Sequence, residues 1–277
     1  MKHRPIGFIG GGNMACSLIG GLIADGCSAS SIWVADPSDE QRRVIESNYG
    51  VTTSASSAEV IARSNTIVFA VKPQIIKSVA AELGAAIRNK KCLAVSIAAG
   101  IRAADLNRWL GGDIPIVRAM PNIAVLVKSG ATALYANPYV TDNQRNQAET
   151  IMRAVGLTLW LDDESHMDAV TALSGSGPAY LFLVIEVLEN AAIKLGLTRE
   201  TAHLLALQTA FGAAKMALES TEDCATLRAR VTSPGGTTEQ AIAVLQQGDI
   251  QGLFDRALKA AHQRAQELAE LLGEKNG

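Results

Sequence analysis

The sequence predicts an α/β fold in two parts: a Rossmann-like parallel sheet covered by helices, then an all-helical half. Three observations predict it. Short apolar runs alternate with helical stretches up to about Leu161, no clear strand follows residue 163, and the helices beyond that point are rich in Ala and Leu. The change of pattern divides the chain into 1–162 and 163–277.

Pro5-Ile6-Gly7-Phe8-Ile9 reads as a buried strand, and Met14 to Ala24 as a helix. Ser31-Ile32-Trp33-Val34-Ala35 is the next strand, with a polar helix from Pro37 to about Asn48. Thr66 to Val71 is a third strand, followed by a helix from Gln74 to about Ile87. Leu93 to Ile97 and Ile114 to Arg118 continue the pattern, and strands near Ala131–Tyr135 and Leu157–Leu161 flank a helix from Asp142 to Ala154. Apolar strands separated by helices are the pattern of a parallel sheet covered on both faces. In the second part, Ala179 to Leu195 is a long apolar helix with Pro178 in its first turn and Gly196 just past its end. Arg199 to Leu218 and Ile250 to Leu272 are two more. Val184, Ile185, Val187 and Leu188 exceed one narrow stripe, and helices apolar all round are buried in a large core or a subunit interface. The segment is short for a self-sufficient domain with that much apolar surface, which predicts an obligate dimer.

Lys+Arg 25 against Asp+Glu 27 leaves a net charge of −2, which removes any general pull toward nucleic acid or an anionic membrane. No run of apolar residues reads as long enough to span a bilayer. Met1-Lys2-His3-Arg4-Pro5 is basic, but Gly-rich sequence follows where a signal peptide would carry its apolar core. Cys16, Cys27, Cys92 and Cys224 form no C-x-x-C pair, so reduced thiols and a cytoplasmic setting are expected. His3, His166, His203 and His262 make no metal-ligand spacing, and no metal is expected. His166, in the acidic stretch from Asp162 to Asp168, reads as part of a solvated helix start.

Gly7-Phe8-Ile9-Gly10-Gly11-Gly12-Asn13-Met14-Ala15 contains G-x-G-x-x-A after a strand and at the opening of a helix, the context of dinucleotide binding. Gly10 allows the tight turn, Gly12 lets backbone approach a pyrophosphate, and Ala15 lets the helix pack close to the strand. Asp36 ends the second strand, where a carboxylate bonds the ribose hydroxyls of NAD and repels the phosphate of NADP. Ser38, Arg42 and Arg43 just beyond could hold that phosphate, although a solvated helix face is the plainer reading of the arginines. The choice between NADH and NADPH stays open. Ligands of such sheets sit at the carboxyl ends of strands. Two more ends therefore matter, Ala70-Val71-Lys72-Pro73 and Ser96-Ile97-Ala98-Ala99-Gly100. The small residues of the second let nicotinamide and ribose lie on backbone. Lys72 has no identifiable partner for catalysis and takes a structural or phosphate-side role.

Val231-Thr232-Ser233-Pro234-Gly235-Gly236-Thr237-Thr238-Glu239-Gln240 packs hydroxyls, a proline and paired glycines into one turn before a helix beginning at Thr238. Thr237 and Gln240 stand in capping-box spacing, which predicts a fixed turn. A fixed turn with free N–H groups and hydroxyls suits a small carboxylate. The plainer alternative is an ordinary helix N-terminus.

Together these stretches resemble the pyrroline-5-carboxylate reductase family over nearly the whole chain. The resemblance rests on the glycine motif, on Ala70-Val71-Lys72-Pro73, on Arg118-Ala119-Met120-Pro121-Asn122, on Ala172-Leu173-Ser174-Gly175-Ser176-Gly177-Pro178-Ala179-Tyr180 and on the turn from Ser233 to Gln240. The last two are specific to that family among Rossmann reductases. The resemblance implies a Rossmann domain, then a helical dimerisation domain, and reduction of 1-pyrroline-5-carboxylate to L-proline. NADP(H) is the implied cofactor, with NAD(H) the alternative. Homodimers that assemble into larger rings, often decamers, are implied too. The implied cofactor residues are Ile9, Gly10, Gly11, Gly12, Asn13, Met14, Asp36, Ser38, Ser57, Ala70, Val71, Lys72, Pro73, Ile97, Ala98, Ala99 and Asn122. Ser233 and the N–H groups of Gly235, Gly236 and Thr237 would hold the substrate carboxylate, across the dimer interface in this family. The Thr238 hydroxyl would bond the ring nitrogen and help relay its proton. Ser176 and Gly177 would line the opposite wall, in a stretch that also suits the N-cap of a buried helix.

Three positions depart from the family pattern. Pro-Asn-Thr-Pro reads Pro121-Asn122-Ile123-Ala124, which removes a hydroxyl and a rigid proline. Asp36 stands where a hydroxyl often precedes Pro37, and Ser57 where asparagine is frequent. The last two weaken the NADP assignment. The competing enzyme reading is a related imine reductase or β-hydroxyacid dehydrogenase, which relies on a lysine or aspartate where Ser174 to Tyr180 offers hydroxyls and glycines. The non-enzymatic reading is a dinucleotide sensor, against which the intact Ser233-to-Thr238 turn argues.

Overall fold

The computed structural model describes residues 5–273; the basic start, residues 1–4 with His3, lies outside the described residues. The chain forms two compact units, residues 1–176 with 261–277 and residues 177–260. The first unit holds β1 (Ile6–Ile9), α1 (Asn13–Ala24), β2 (Ile32–Ala35), α2 (Asp39–Tyr49), β3 (Thr52–Ser54), α3 (Ser57–Arg63), β4 (Thr66–Phe69), α4 (Ile76–Lys90), β5 (Leu93–Ser96) and α5 (Ala103–Trp109). It continues through β6 (Ile116–Pro121), β7 (Gly130–Ala136), α6 (Asp142–Arg153), β8 (Gly156–Trp160) and α7 (Met167–Val170). The strands form one sheet in the order β3-β2-β1-β4-β5-β6-β7-β8.

Residues alternate between the two faces of the sheet because the side-chain period of a strand is two. Val68 of β4 enters one core with Leu18, Ile19 and Leu22 of α1 and Ile151 of α6. Its neighbours Ile67 and Phe69 enter the other, with Ile76, Leu83 and Ile87 of α4 and Leu106 of α5. Both faces are therefore covered, as expected. The expectation of parallel pairing fails once, since β6 and β7 run antiparallel. Only residues 122–129 join them, too short for the crossover that parallel neighbours need. Asn137 locks the return: Nδ2 donates to the Ile114 carbonyl at 2.9 Å, and Oδ1 accepts from the Ile116 N–H at 3.0 Å. The helix α6 then supplies a crossover, and β8 is parallel to β7.

The second unit is α8 (Gly177–Lys194), α9 (Arg199–Glu219), α10 (Cys224–Arg230), α11 (Thr237–Gln247) and the first part of α12 (Ile250–Leu272). Residues Thr171–Gly175 form a single π-helical turn and Ser176 keeps helical angles. The N-cap expected around Ser174 and Ser176 therefore does not form. Nor is α8 buried: Leu181 and Phe182 are each 64% exposed. The helical stretch Glu164–Lys194 is long and apolar enough, by length and composition, to cross a membrane. This corrects the expectation that no run reaches that length, because a span tolerates isolated charges such as Glu186 and Glu189. An apolar helix exposed in one chain equally suits a subunit interface.

The β7–β8 pairing begins where two glycines meet. Gly156 has φ +150°, and a Cβ there would stand 2.0 Å from the Gly130 carbonyl oxygen. Gly156→Ala should lower folding stability by about 2–4 kcal/mol, read as a fall in the urea midpoint; an unchanged midpoint would mean that the two strand starts separate freely.

Candidate active site

In an open α/β sheet, ligands bind beyond the carboxyl ends of strands, where the strand order reverses. Here β1 leads to β2 and β3 on one side, and the chain then crosses to β4 on the other. A cleft of about 650 Å³ opens at that point. Ile9, Gly10, Gly11, Gly12, Asp36, Ser57, Ala70, Val71 and Lys72 all line it.

Each glycine has its own reason. Gly10 has φ +97°, and a Cβ on it would lie 2.7 Å from the Ala70 carbonyl oxygen. A Cβ on Gly11 would lie 2.4 Å from Ile45 Cδ1. Gly12 is the reverse case, with nothing within 4 Å of where its Cβ would be. It is the N-cap of α1 and offers no side-chain bond. Among the described residues, the amides of Asn13, Met14 and Ala15 have no protein acceptor. Open space in front of free amides at a helix N-terminus is a cradle for an anionic group such as a pyrophosphate.

The loop is braced from behind. Asp36 Oδ2 accepts from the Gly11 N–H at 2.9 Å, and Oδ1 accepts from the Ser38 N–H at 2.9 Å. The Gly10 N–H donates to the Ala35 carbonyl at 2.8 Å. Cys16 Sγ and Gln41 Nε2 both donate to the Gly11 carbonyl. Burial, and then the Asp36 carboxylate, push the Cys16 thiol up, so it stays a neutral donor. Arg42 departs from the solvated face expected of it. Its side chain is 17% exposed and donates to the carbonyls of Asp36 and Pro37 at 2.7 and 3.1 Å. Arg43 is exposed and pairs with Asp39. The Ser38 hydroxyl caps α2 by accepting from the Gln41 N–H at 3.2 Å.

The remaining residues singled out in this unit lie outside the lining of the cleft. Asn13, Met14, Ser38 and Pro73 border its loops, and Ile97, Ala98 and Ala99 follow β5. The Ile97 N–H donates to the Phe69 carbonyl at 3.2 Å, and the Ala98 N–H to Ser96 Oγ at 3.3 Å. Asn122 follows β6. Its Oδ1 accepts from the N–H groups of Ala124 and Ala131, both at 3.2 Å, and Nδ2 donates to Ser174 Oγ at 3.3 Å. Sequence reasoning missed Ser56 and Ala58 around the start of α3, and Val79, Glu82 and Leu83 of α4, all of which line the cleft. The α4 residues carried a readable signal, because i, i+3 and i+4 share one helix face. The stretch around α3 carried little, since that helix was not foreseen.

In the second unit, α11 begins at Thr237 with Gly236 as its N-cap. The helix starts one residue earlier than expected, so the Thr237–Gln240 capping box does not form. Glu239 reaches back instead, its Oε2 accepting from the Gly235 N–H at 2.8 Å, while the Gly236 N–H donates to the Ser233 carbonyl at 3.0 Å. The turn is fixed, with Gly235 at φ +72°. The amides of Thr237, Thr238 and Glu239 have no protein acceptor among the described residues. Ser176 ends the first unit and Gly177 begins the second.

Residues 164–268 match the family model for pyrroline-5-carboxylate reductase dimerisation, and residues 5–100 match one for NADP oxidoreductase, coenzyme F420-dependent. The pyrroline-5-carboxylate reductase of Pseudomonas aeruginosa is 52% identical over 274 residues, covering 99% of this chain and 100% of that one. That of Haemophilus influenzae is 41% identical over 272 residues, covering 98% and 100%. Among solved structures, a pyrroline-5-carboxylate reductase from Coxiella burnetii superposes with a TM-score of 0.93 at 47% identity, over 96% of this chain and 98% of that one. The Plasmodium falciparum pyrroline carboxylate reductase with NADP bound gives 0.85 at 29% identity, over 98% and 100%. The likeness runs through the sheet, the glycine cleft and the helical segment alike, and the chain belongs to the pyrroline-5-carboxylate reductase family.

Proposed function

We propose that the protein reduces 1-pyrroline-5-carboxylate to L-proline with NAD(P)H, the last step of proline synthesis. The observation that carries this reading is the pair of built features in one chain of this family, the open glycine cradle and the fixed turn at residues 233–238. The first part, 1–162, serves as the coenzyme domain, and 163–277 as the dimerisation and substrate domain.

The substrate is a cyclic imine bearing a carboxylate. Once protonated, its C=N carbon is an electrophile, and no strong nucleophile is needed. The coenzyme supplies the hydride. The protein has to hold the carboxylate, aim the imine carbon at the nicotinamide and exclude water. Gly12 and the first amides of α1 suit the pyrophosphate, Asp36 and Ser57 the adenosine side, and Ile97, Ala98 and Ala99 the nicotinamide side. Since the turn itself uses the Gly235 and Gly236 amides, the substrate carboxylate falls to the Ser233 hydroxyl and the amides of Thr237 and Thr238. The Thr238 hydroxyl bonds the ring nitrogen and relays its proton. Ser176 and Gly177 form the other wall. The family points to NADP(H), while the Asp36 charge opposes an extra phosphate and favours NAD(H). The assembly is a homodimer built into a larger ring such as a decamer, which the exposed apolar faces of α8 and α9 support. Four free thiols support a cytoplasmic enzyme.

Adding pyrroline-5-carboxylate should drive NAD(P)H oxidation, and no oxidation with either coenzyme would sink the reading. Thr238→Ala should lower kcat at least about tenfold with the fold intact; turnover close to wild type would remove Thr238 from the mechanism. Asp36→Ser should raise the kcat/KM ratio for NADPH over NADH by about tenfold. Kinetics unchanged with both coenzymes would retire the charge argument.

A further inference from the structure

We infer that Glu164 and Leu272 are positioning residues for the loop at residues 97–102, holding it from two sides in the form that receives the coenzyme. The inference rests on the reading that Ile97, Ala98 and Ala99 meet the nicotinamide side. The loop runs from the end of β5 to the start of α5. Ala98, Ala99 and Gly100 have no large side chain with which to fix its path.

At the far end, the Ala103 N–H donates to Glu164 Oε1 at 2.7 Å. The same oxygen accepts from Arg118 Nη1 at 2.9 Å. Arg118 lies within β6 and is 3% exposed, and its Nη2 has no partner among the described residues. A buried guanidinium so poorly answered leans on Glu164, the one carboxylate it meets among the described residues. A single oxygen therefore joins the sheet to the end of the loop. In the middle of the loop, Gly100 has φ +74°, and a Cβ on it would stand 3.2 Å from Leu272 Cδ1 and 3.8 Å from the Ala269 amide nitrogen. Ala269 is 1% exposed, and Leu272 packs against the second core. Gly273 comes so close to α5 that a Cβ there would lie 2.6 Å from Asp105 Oδ2. The last turn of α12 thus lies across the loop and the start of α5. Ser96 Oγ, accepting from the Ala98 N–H, pins the near end.

The test uses the full chain without substrate, with NADPH affinity read by its fluorescence and hydrogen exchange read over residues 97–103. Glu164→Ala should weaken NADPH binding about three- to tenfold, the effect of one or two lost hydrogen bonds, and speed exchange in the loop. Both bonds end on Oε1, and a glutamine carries an equivalent oxygen. Glu164→Gln keeps that acceptor but removes the charge that answers the buried Arg118, so its NADPH affinity and loop exchange should fall between those of wild type and of Glu164→Ala. Leu272→Ala should weaken NADPH at least about threefold, the cost of ordering a loosened loop on binding, with exchange in β1 and β4 unchanged. If Glu164→Ala fails to fold, Leu272→Ala decides. A folded Leu272→Ala with wild-type NADPH affinity and wild-type loop exchange would overturn the inference. If the wild-type chain bound NADH but not NADPH, the same variants would be read with NADH; if it bound neither, the coenzyme reading itself would fail, and loop exchange would still decide whether the clamp exists.

Discussion

The close approach of Gly10 to the Ala70 carbonyl is the constraint on which the rest of the first unit turns. Two parallel strands lie side by side at the switch point, and the chain leaving β1 has to bend over the end of β4 without a side chain in the way. With 2.7 Å between a Cβ position and a backbone oxygen, any L side chain would push the strands apart. Once the bend is made, Gly11 faces backward and Gly12 forward. The backward side is filled by Ile45 and answered by Asp36, Cys16 and Gln41. The forward side is left empty, with free amides behind it. The cleft exists because the loop is pinned from one side only.

Asp36 is consequently more than a selector between coenzymes. Two of its acceptor positions already hold the glycine loop and the start of α2, and Arg42 fastens the carbonyl of the same residue. Replacing it alters loop order as well as charge. This is the physical reason that a hydroxyl at that position is not a simple exchange in this chain, whichever coenzyme it uses.

The sequence shows the fold most clearly where several signals coincide. Around β1 and α1, strand hydrophobicity, a helix start and glycine chemistry fall within ten residues. Thin elements escape: β3 is three polar residues at a sheet edge, and α3 and α5 are seven residues each. The reversal of β7 escapes because a buried strand reads the same in either direction. Only the length of the connection carries the direction. In the turn before α11 the residue types are readable but the register is not, since Gly236 with Glu239 and Thr237 with Gln240 stand at the same spacing. The Glu164–Arg118 pair joins residues 46 positions apart, and a contact at that separation leaves no local trace. Glu164 accordingly reads as one more charge in an acidic stretch.

The departure at Ile123-Ala124 shows how the structure answers a lost proline. A proline at 124 would fix the chain by its ring and offer no N–H. Ala124 has an N–H, and it donates to Asn122 Oδ1, which also takes the Ala131 N–H at the start of β7. Val125 is buried just beyond, against the position where Gly130 could not carry a Cβ, 2.4 Å away. Side-chain capping and one buried valine thus hold the turn that ring rigidity would hold elsewhere. The hydroxyl lost at 123 has no such replacement, because Ile123 is 48% exposed and apolar. The backbone function of the usual pair is retained here, and its polar function at position 123 is not.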